Sequence, residues 1–184
     1  ALIVADYLPL GVVTPCLRET LSDLAACTPS VLFMADSRHE LAGYGHMALK
    51  PNEVEAARVL FPGRDPAAVT PEALAAAAPQ LVARAGQPVY ITLGACGCLV
   101  CTHSGATRLP AVPVDAPIDP VGAGDTFVAA AAAGLAAGAT PVEAGQFASL
   151  AAAVTVRKLR VTGTATAAEI LVRYDALRQA PPWP

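Results

Sequence analysis

The sequence predicts an α/β domain in which helices flank a largely parallel sheet. Short apolar runs alternate along the chain with longer stretches of helical pattern, the order that gives strand–helix units. The composition agrees. Hydrophobic residues make up 54% of the chain but aromatics only 5%, and 41 of the 184 residues are alanine, so the core is built from small side chains that let helices lie close on a sheet. The length is that of one ordinary domain, and roughly 70% of the unfolded chain's surface is buried at this size, enough for a self-sufficient core.

Residues 2–5, Leu2-Ile3-Val4-Ala5, read as a buried strand. Thr14-Pro15 then opens a helix through residue 26, with proline at its first turn. Residues 31–34 form a second strand ending at Asp36-Ser37-Arg38, and residues 47–49 a brief third, stopped by Pro51. A short helix is expected over 52–60 and a longer one over 71–84. Val89-Tyr90-Ile91-Thr92-Leu93 is a β-branched strand entering the turn Gly94-Ala95-Cys96-Gly97. Residues 98–102 and 108–114 read as two further strands, arranged as a hairpin. Helices at 123–137, 141–158 and 166–177 follow, before the proline-rich tail Pro181-Pro182-Trp183-Pro184. Sheets of this kind bind ligands outside the carboxyl ends of their strands, so the turns after Met34, Leu49, Leu93 and Asp119 are the places to look.

Charge and cysteine usage narrow the class. The net charge is −3, and only Lys50 and Lys158 among the twelve basic residues are lysines, with the arginines scattered. No basic face for phosphate backbones or anionic lipid is visible, so neither nucleic acid nor a membrane is an expected partner. The apolar run 127–139 is too short to span a bilayer. Five cysteines, an odd number in a chain of ordinary size, argue for reduced thiols and a cytoplasmic setting. The chain opens without an initiator methionine, directly in an apolar run, which leads us to expect the C-terminal part of a longer protein.

The strongest motif is Asp119-Pro120-Val121-Gly122-Ala123-Gly124-Asp125-Thr126-Phe127. A glycine-rich turn running straight into a helix exposes successive backbone N–H groups at the positive end of the helix dipole, an anion site that phosphate can approach closely. Asp125 is the unusual member. A carboxylate beside bound phosphate repels it, which is costly unless the charge has a task, and the task that fits is accepting a proton from an attacking hydroxyl. The plainer alternative is a favourable first-turn residue. Other phosphate loops fail: neither lysine follows a glycine as a Walker loop requires, and Phe127 stands where a dinucleotide fingerprint needs a small residue.

Asp-x-x-Gly-Ala-Gly-Asp before an alanine-rich helix resembles the C-terminal signature of the ribokinase-like (PfkB) carbohydrate kinases. Asp6-Tyr7 with Gly11, and Asp36-Ser37-Arg38, are similar to the sugar and heptose kinase branch. Lys50-Pro51-Asn52-Glu53-Val54-Glu55 resembles the family's Asn-x-x-Glu element, Thr92-Leu93-Gly94-Ala95-Cys96-Gly97 its nucleotide loop, and Thr162-Gly163-Thr164-Ala165-Thr166 its C-terminal cation segment. The resemblance covers nearly the whole chain and implies a three-layer, Rossmann-type fold without the family's N-terminal part and lid. The implied activity is phosphoryl transfer from Mg-ATP to a sugar hydroxyl. A non-catalytic nucleotide-binding remnant is the alternative. Loss of the N-terminal part would leave exposed sheet edges that invite self-association, so a homo-oligomer also stays open.

The resemblance assigns roles residue by residue. Asp125 is the base, and the amides of Gly122, Ala123 and Gly124 form the anion hole. Thr92, Gly94 and Gly97 line the nucleotide pocket, with Ser149 near the base of the nucleotide. Asn52 and Glu55, three apart on one helix face, would hold Mg²⁺ through water; a helix-capping asparagine with a solvated glutamate is the competing account. Asp119 and the Val121 carbonyl, with groups near 160–165, would frame a monovalent-cation site for K⁺. Arg160 stands where a glycine is expected. The cluster Cys96, Cys98, Cys101 and His103 superficially suggests zinc, but strand alternation sends residues 98 and 101 to opposite faces.

Overall fold

The computed structural model describes residues 1–115 and 117–179; the proline-rich tail at 181–184 lies outside them. Six strands, β1 (Leu2–Asp6), β2 (Phe33–Ser37), β3 (Ala48–Leu49), β4 (Val89–Thr92), β5 (Cys98–Thr102) and β6 (Gly105–Leu109), form one sheet in sequential order. The first four run parallel and the last two pair antiparallel, so the expected largely parallel sheet is a mixed one.

The helices are α1 (Pro15–Cys27), α2 (Glu53–Leu60), α3 (Pro71–Ala77), α4 (Pro79–Ala85), α5 (Ala123–Ala136), α6 (Pro141–Thr155) and α7 (Ala167–Arg178). Strand alternation sorts the core into two layers. Phe33, Ala35, Leu49, Val89, Ile91, Leu99 and Cys101 face helices α1 to α4, while Met34, Ala48, Tyr90, Cys98 and Val100 face α5 and α6. The alanine content has its use here: Ala131, Ala132, Ala144, Ala148 and Ala151 are almost wholly buried where α5 and α6 meet over the sheet. Phe127 anchors α5 through an edge-on contact with Tyr90, ring centroids 6.0 Å apart.

Three expectations need correction. The helix expected over 71–84 is two helices, because Pro79 has no N–H to continue the ladder and restarts the chain as α4. The strand expected over 108–114 lies earlier, at Gly105–Leu109. A two-residue turn at His103-Ser104 pairs Thr102 with Gly105, and Pro110 and Pro113 cannot extend the ladder. The second strand starts later and runs on through Asp36 and Ser37, whose backbones pair with Ala5 and Asp6. Cys98 and Cys101 do lie in opposite layers, as alternation requires, and burial pushes the Cys101 thiol up to about 12.

Candidate active site

The parallel strands deliver polar residues to one edge of the sheet. β1 ends at Asp6 and hands on to Tyr7, β2 ends at Asp36-Ser37 and Arg38, β3 passes to Lys50, and β4 ends at Thr92. Asp6 is buried and holds the framework. Its Oδ2 accepts hydrogen bonds from Tyr44 at 2.8 Å, Ser37 at 3.1 Å and Arg18 at 3.3 Å. That tie joins β1, β2, α1 and the segment before β3.

Helix α5 points its start at this edge. Gly122, its N-cap, takes a left-handed φ of 80°, and a Cβ there would sit 3.2 Å from the Gly163 carbonyl. Only glycine serves both needs. The helices α1, α2, α6 and α7 are each capped by a threonine or asparagine side chain, whereas α5 has no side-chain cap. The amides of Gly124 and Asp125 have no carbonyl four residues back within their helix, so they are open to an anion. An apolar cavity of about 710 Å³ adjoins this start, walled by α5, α6, α7 and residues 162–165.

The charged groups form one connected chain. Tyr7 donates its phenolic hydrogen to Asp125 Oδ1 at 2.6 Å, and the same oxygen lies 3.0 Å from Asp36 Oδ2. Asp36 in turn pairs with Lys50 Nζ at 3.0 Å, both side chains being almost fully buried. A Cβ on Gly124 would lie 3.5 Å from that ammonium, so Lys50 sits beneath the helix start. Burial pushes the Asp36 carboxyl above its ordinary value, against the pull of Lys50. Burial also raises the Tyr7 phenol, and the hydrogen bond to Asp125 and the two nearby carboxylates add to it, so the phenol stays protonated.

The other expected residues separate into groups. Asn52 and Thr92 are bridge partners, and the Thr92 amide donates to the Pro51 carbonyl at 2.9 Å, which brings the Asn-x-x-Glu element against the glycine turn. Asn52 and Glu55 cap each other: Asn52 Oδ1 accepts from the Glu55 amide at 2.9 Å, and Glu55 Oε2 from the Asn52 amide at 2.8 Å. The competing account is therefore right about the cap but not about a solvated glutamate: Glu55 is buried, and its Oε1 is outside that box. Burial raises the Glu55 carboxyl, opposed by the Asn52 amide and Lys50. Gly97 has φ 94°, and a Cβ there would meet the Leu109 carbonyl at 2.0 Å, so its identity is set by a close backbone approach. Gly94 is exposed, also with positive φ. Ser149 spends its hydroxyl on the Gly145 carbonyl at 2.8 Å, within its own helix.

Asp119 binds two amides, Val121 at 3.1 Å and Arg160 at 2.9 Å, and so fastens the glycine turn to the segment after α6. Arg160 itself adopts φ 60°, the backbone that the expected glycine would take freely. Among the described residues no cluster of three His, Cys, Asp or Glu side chains could hold a metal ion, and no helix is long and apolar enough to cross a membrane. Tyr7, Asp36 and Lys50 were legible only as parts of motifs. Their signal is position: each is a polar residue at or just beyond the carboxyl end of a buried strand.

The chain is similar in sequence and in fold to several known proteins. The bifunctional protein HldE of Caulobacter sp. (strain K31) is 35% identical over 174 residues, covering 92% of this chain and 34% of that protein. HldE of Caulobacter vibrioides is 33% identical, with 91% and 34% covered. Among solved structures, phosphofructokinase-2 from Escherichia coli in complex with potassium superposes with a TM-score of 0.76 at 25% identity, over 96% of this chain and 56% of that one. Ribokinase from Arabidopsis thaliana, complexed with ribose and ATP, shares the fold with a TM-score of 0.73 at 21% identity, over 93% and 55%. The chain thus spans about a third of the curated relatives and just over half of the solved neighbours. Residues 20–168 match the pfkB family carbohydrate kinases, and the chain belongs to that family.

Proposed function

We propose that this chain is the C-terminal, nucleotide-side and catalytic-base portion of a cytoplasmic ATP-dependent sugar kinase. The observation that carries the reading is the uncapped start of α5, with a carboxylate in its first turn and a buried ammonium beneath it. An uncapped helix start alone binds an anion; the carboxylate adds a base beside it. In the reaction the acceptor hydroxyl attacks the γ-phosphorus. Its oxygen forms the new O–P bond, its proton passes to Asp125, and the bond to the β,γ-bridging oxygen breaks to release ADP. Of the three amides expected in the anion hole, that of Ala123 is spent on the Pro120 carbonyl at 3.1 Å. The amides of Gly122 and Gly124, with that of Asp125, are the ones left for the charge on the transferred group, and Lys50 adds a positive charge from below.

Thr92, Gly94 and Gly97 form the turn that lies against the nucleotide, with Ser149 farther along α6. The residues at the Asn-x-x-Glu element fit Mg²⁺ held through water and nucleotide phosphates, since they offer one uncommitted carboxylate oxygen and no cage of protein ligands. Bound there, Mg²⁺ would neutralise phosphate charge. For K⁺, the Asp119 carboxylate supplies negative charge but is already engaged by two amides, so carbonyls such as that of Val121 would be the direct ligands. The potassium complex of the Escherichia coli neighbour supports this choice of ion. The walls of that cavity are mostly apolar and offer few partners for sugar hydroxyls, which supports sugar contacts made elsewhere than in this cavity.

Asp125→Asn tests the base. It keeps the size and the helix start, and a positioned base is worth about 10² to 10⁴ in rate. Turnover should fall by that factor with nucleotide affinity retained. Near-wild-type turnover would overturn the assignment.

A further inference from the structure

The base of this site is held from outside its own helix. Asp125 is exposed in the first turn of α5, where a free carboxylate rotates about two bonds in water. Tyr7, 118 residues earlier and just past the end of β1, meets it at 2.6 Å. Tyr7 is itself fixed from two further sides. Its oxygen lies 3.0 Å from Asp36, which Lys50 locks in place, and the Arg38 guanidinium sits over its ring at 5.0 Å from the centroid. We infer that Tyr7 is a positioning residue for the phosphoryl-transfer base, holding Asp125 Oδ1 so that Oδ2 is the oxygen presented to the acceptor hydroxyl. The inference rests on the reading of Asp125 given above.

The arithmetic of donors favours this role. A phenol carries one hydrogen, and two carboxylates face it. Asp36 already has the Lys50 ammonium, while among the described residues no other hydrogen bond holds the Asp125 side chain, so the phenol's hydrogen belongs with Asp125 at the shorter distance. Burial and the neighbouring charges keep the phenol protonated, hence a donor, across the neutral range. A carboxylate fixed on one oxygen has one direction left in which to accept a proton, which is what orientation contributes to a transfer step.

The experiment uses the complete kinase. Tyr7→Phe should lower kcat about 10- to 100-fold, leave the KM for ATP unchanged, and melt within the scatter of the wild type. Replacing Tyr7 with 3-fluorotyrosine keeps the ring and hydroxyl but makes the phenol more acidic. A shift in kcat with that variant marks the hydrogen bond, whereas a packing role leaves it unmoved. Asp125→Asn is run alongside. Loss of activity there, with wild-type kcat in both Tyr7 variants, overturns the positioning role alone; full activity of Asp125→Asn overturns the underlying reading instead. If Tyr7→Phe fails to fold, the fluorotyrosine variant decides by itself.

Discussion

Lys50→Met removes the ammonium from the buried pair while keeping a long flexible side chain in its slot. Lys50 and Asp36 side chains are only 7% and 5% exposed and lie 3.0 Å apart, so the carboxylate left behind has no water to replace its partner. Breaking such a pair from one side costs about 3–5 kcal/mol. For a chain of this length that is a fall in Tm of roughly 6–20 °C. The pH dependence has a definite sign. Burial already holds the folded Asp36 carboxyl above its ordinary value, against Lys50; without Lys50 it rises further. Between the ordinary value and the raised one the folded state then binds the extra proton, so the variant gains stability as pH falls through that window. The difference from wild type, measured by urea denaturation at pH 7 and near pH 4, cancels the other carboxyls. The deficit should shrink on acidification, and Lys50→Met with Asp36→Leu should recover most of it. A deficit below about 1 kcal/mol at pH 7, or one equally large at both pH values, would refute the reasoning.

Gly97→Ala places a Cβ 2.0 Å from the Leu109 carbonyl on a backbone with φ 94°, and should cost more than about 2 kcal/mol of stability by denaturant titration. Exchanging Na⁺ for K⁺ at constant ionic strength should raise kinase activity; indifference removes the cation site near Asp119 and leaves the base untouched. For the isolated 184-residue chain, Mg-ADP at about 100 times its dissociation constant should stabilise the fold by about 2.7 kcal/mol, a melting shift of roughly 5 °C or more. A folded sample without that response contradicts the nucleotide turn.

What the sequence revealed tracks the range of the interaction responsible. Thr14-Pro15, Thr140-Pro141 and Thr166 mark helix starts because capping is decided within three residues, and each side chain does accept from the third amide on. The glycine turn into α5 was legible for the same reason. The break at Pro79 was equally local, but alanines on both sides of it sustain one helical pattern and hide the junction. The strand after the His103-Ser104 turn was misplaced because its register is set by pairing with β5, while its own residues are mostly exposed and carry little apolar signal. The contacts of the site are the least legible part. Tyr7 to Asp125 spans 118 positions and Asp36 to Lys50 joins two strand ends; only the parallel sheet puts them side by side.

Asn52 and Glu55 show why spacing alone gives two answers. Residues three apart share a helix face, which is the requirement both for a capping box and for a carboxylate–amide pair facing a hydrated cation. The two uses are not exclusive in chemistry. A capping box consumes one side-chain oxygen of each residue, and a carboxylate has two. On the function proposed above, burial is what sets this cap apart from the others. The cap at Glu143 lies exposed and that at Glu169 is half-buried beside Lys158, and hydrogen bonds, for Glu169 first of all from Lys158, hold both carboxyls below their ordinary value. Glu55 is buried at the sheet edge beside Thr92, and burial drives its carboxyl upward. A cap needs no such burial. Holding a carboxylate in a place that disfavours its charge makes physical sense where a cation and nucleotide phosphates come to meet it.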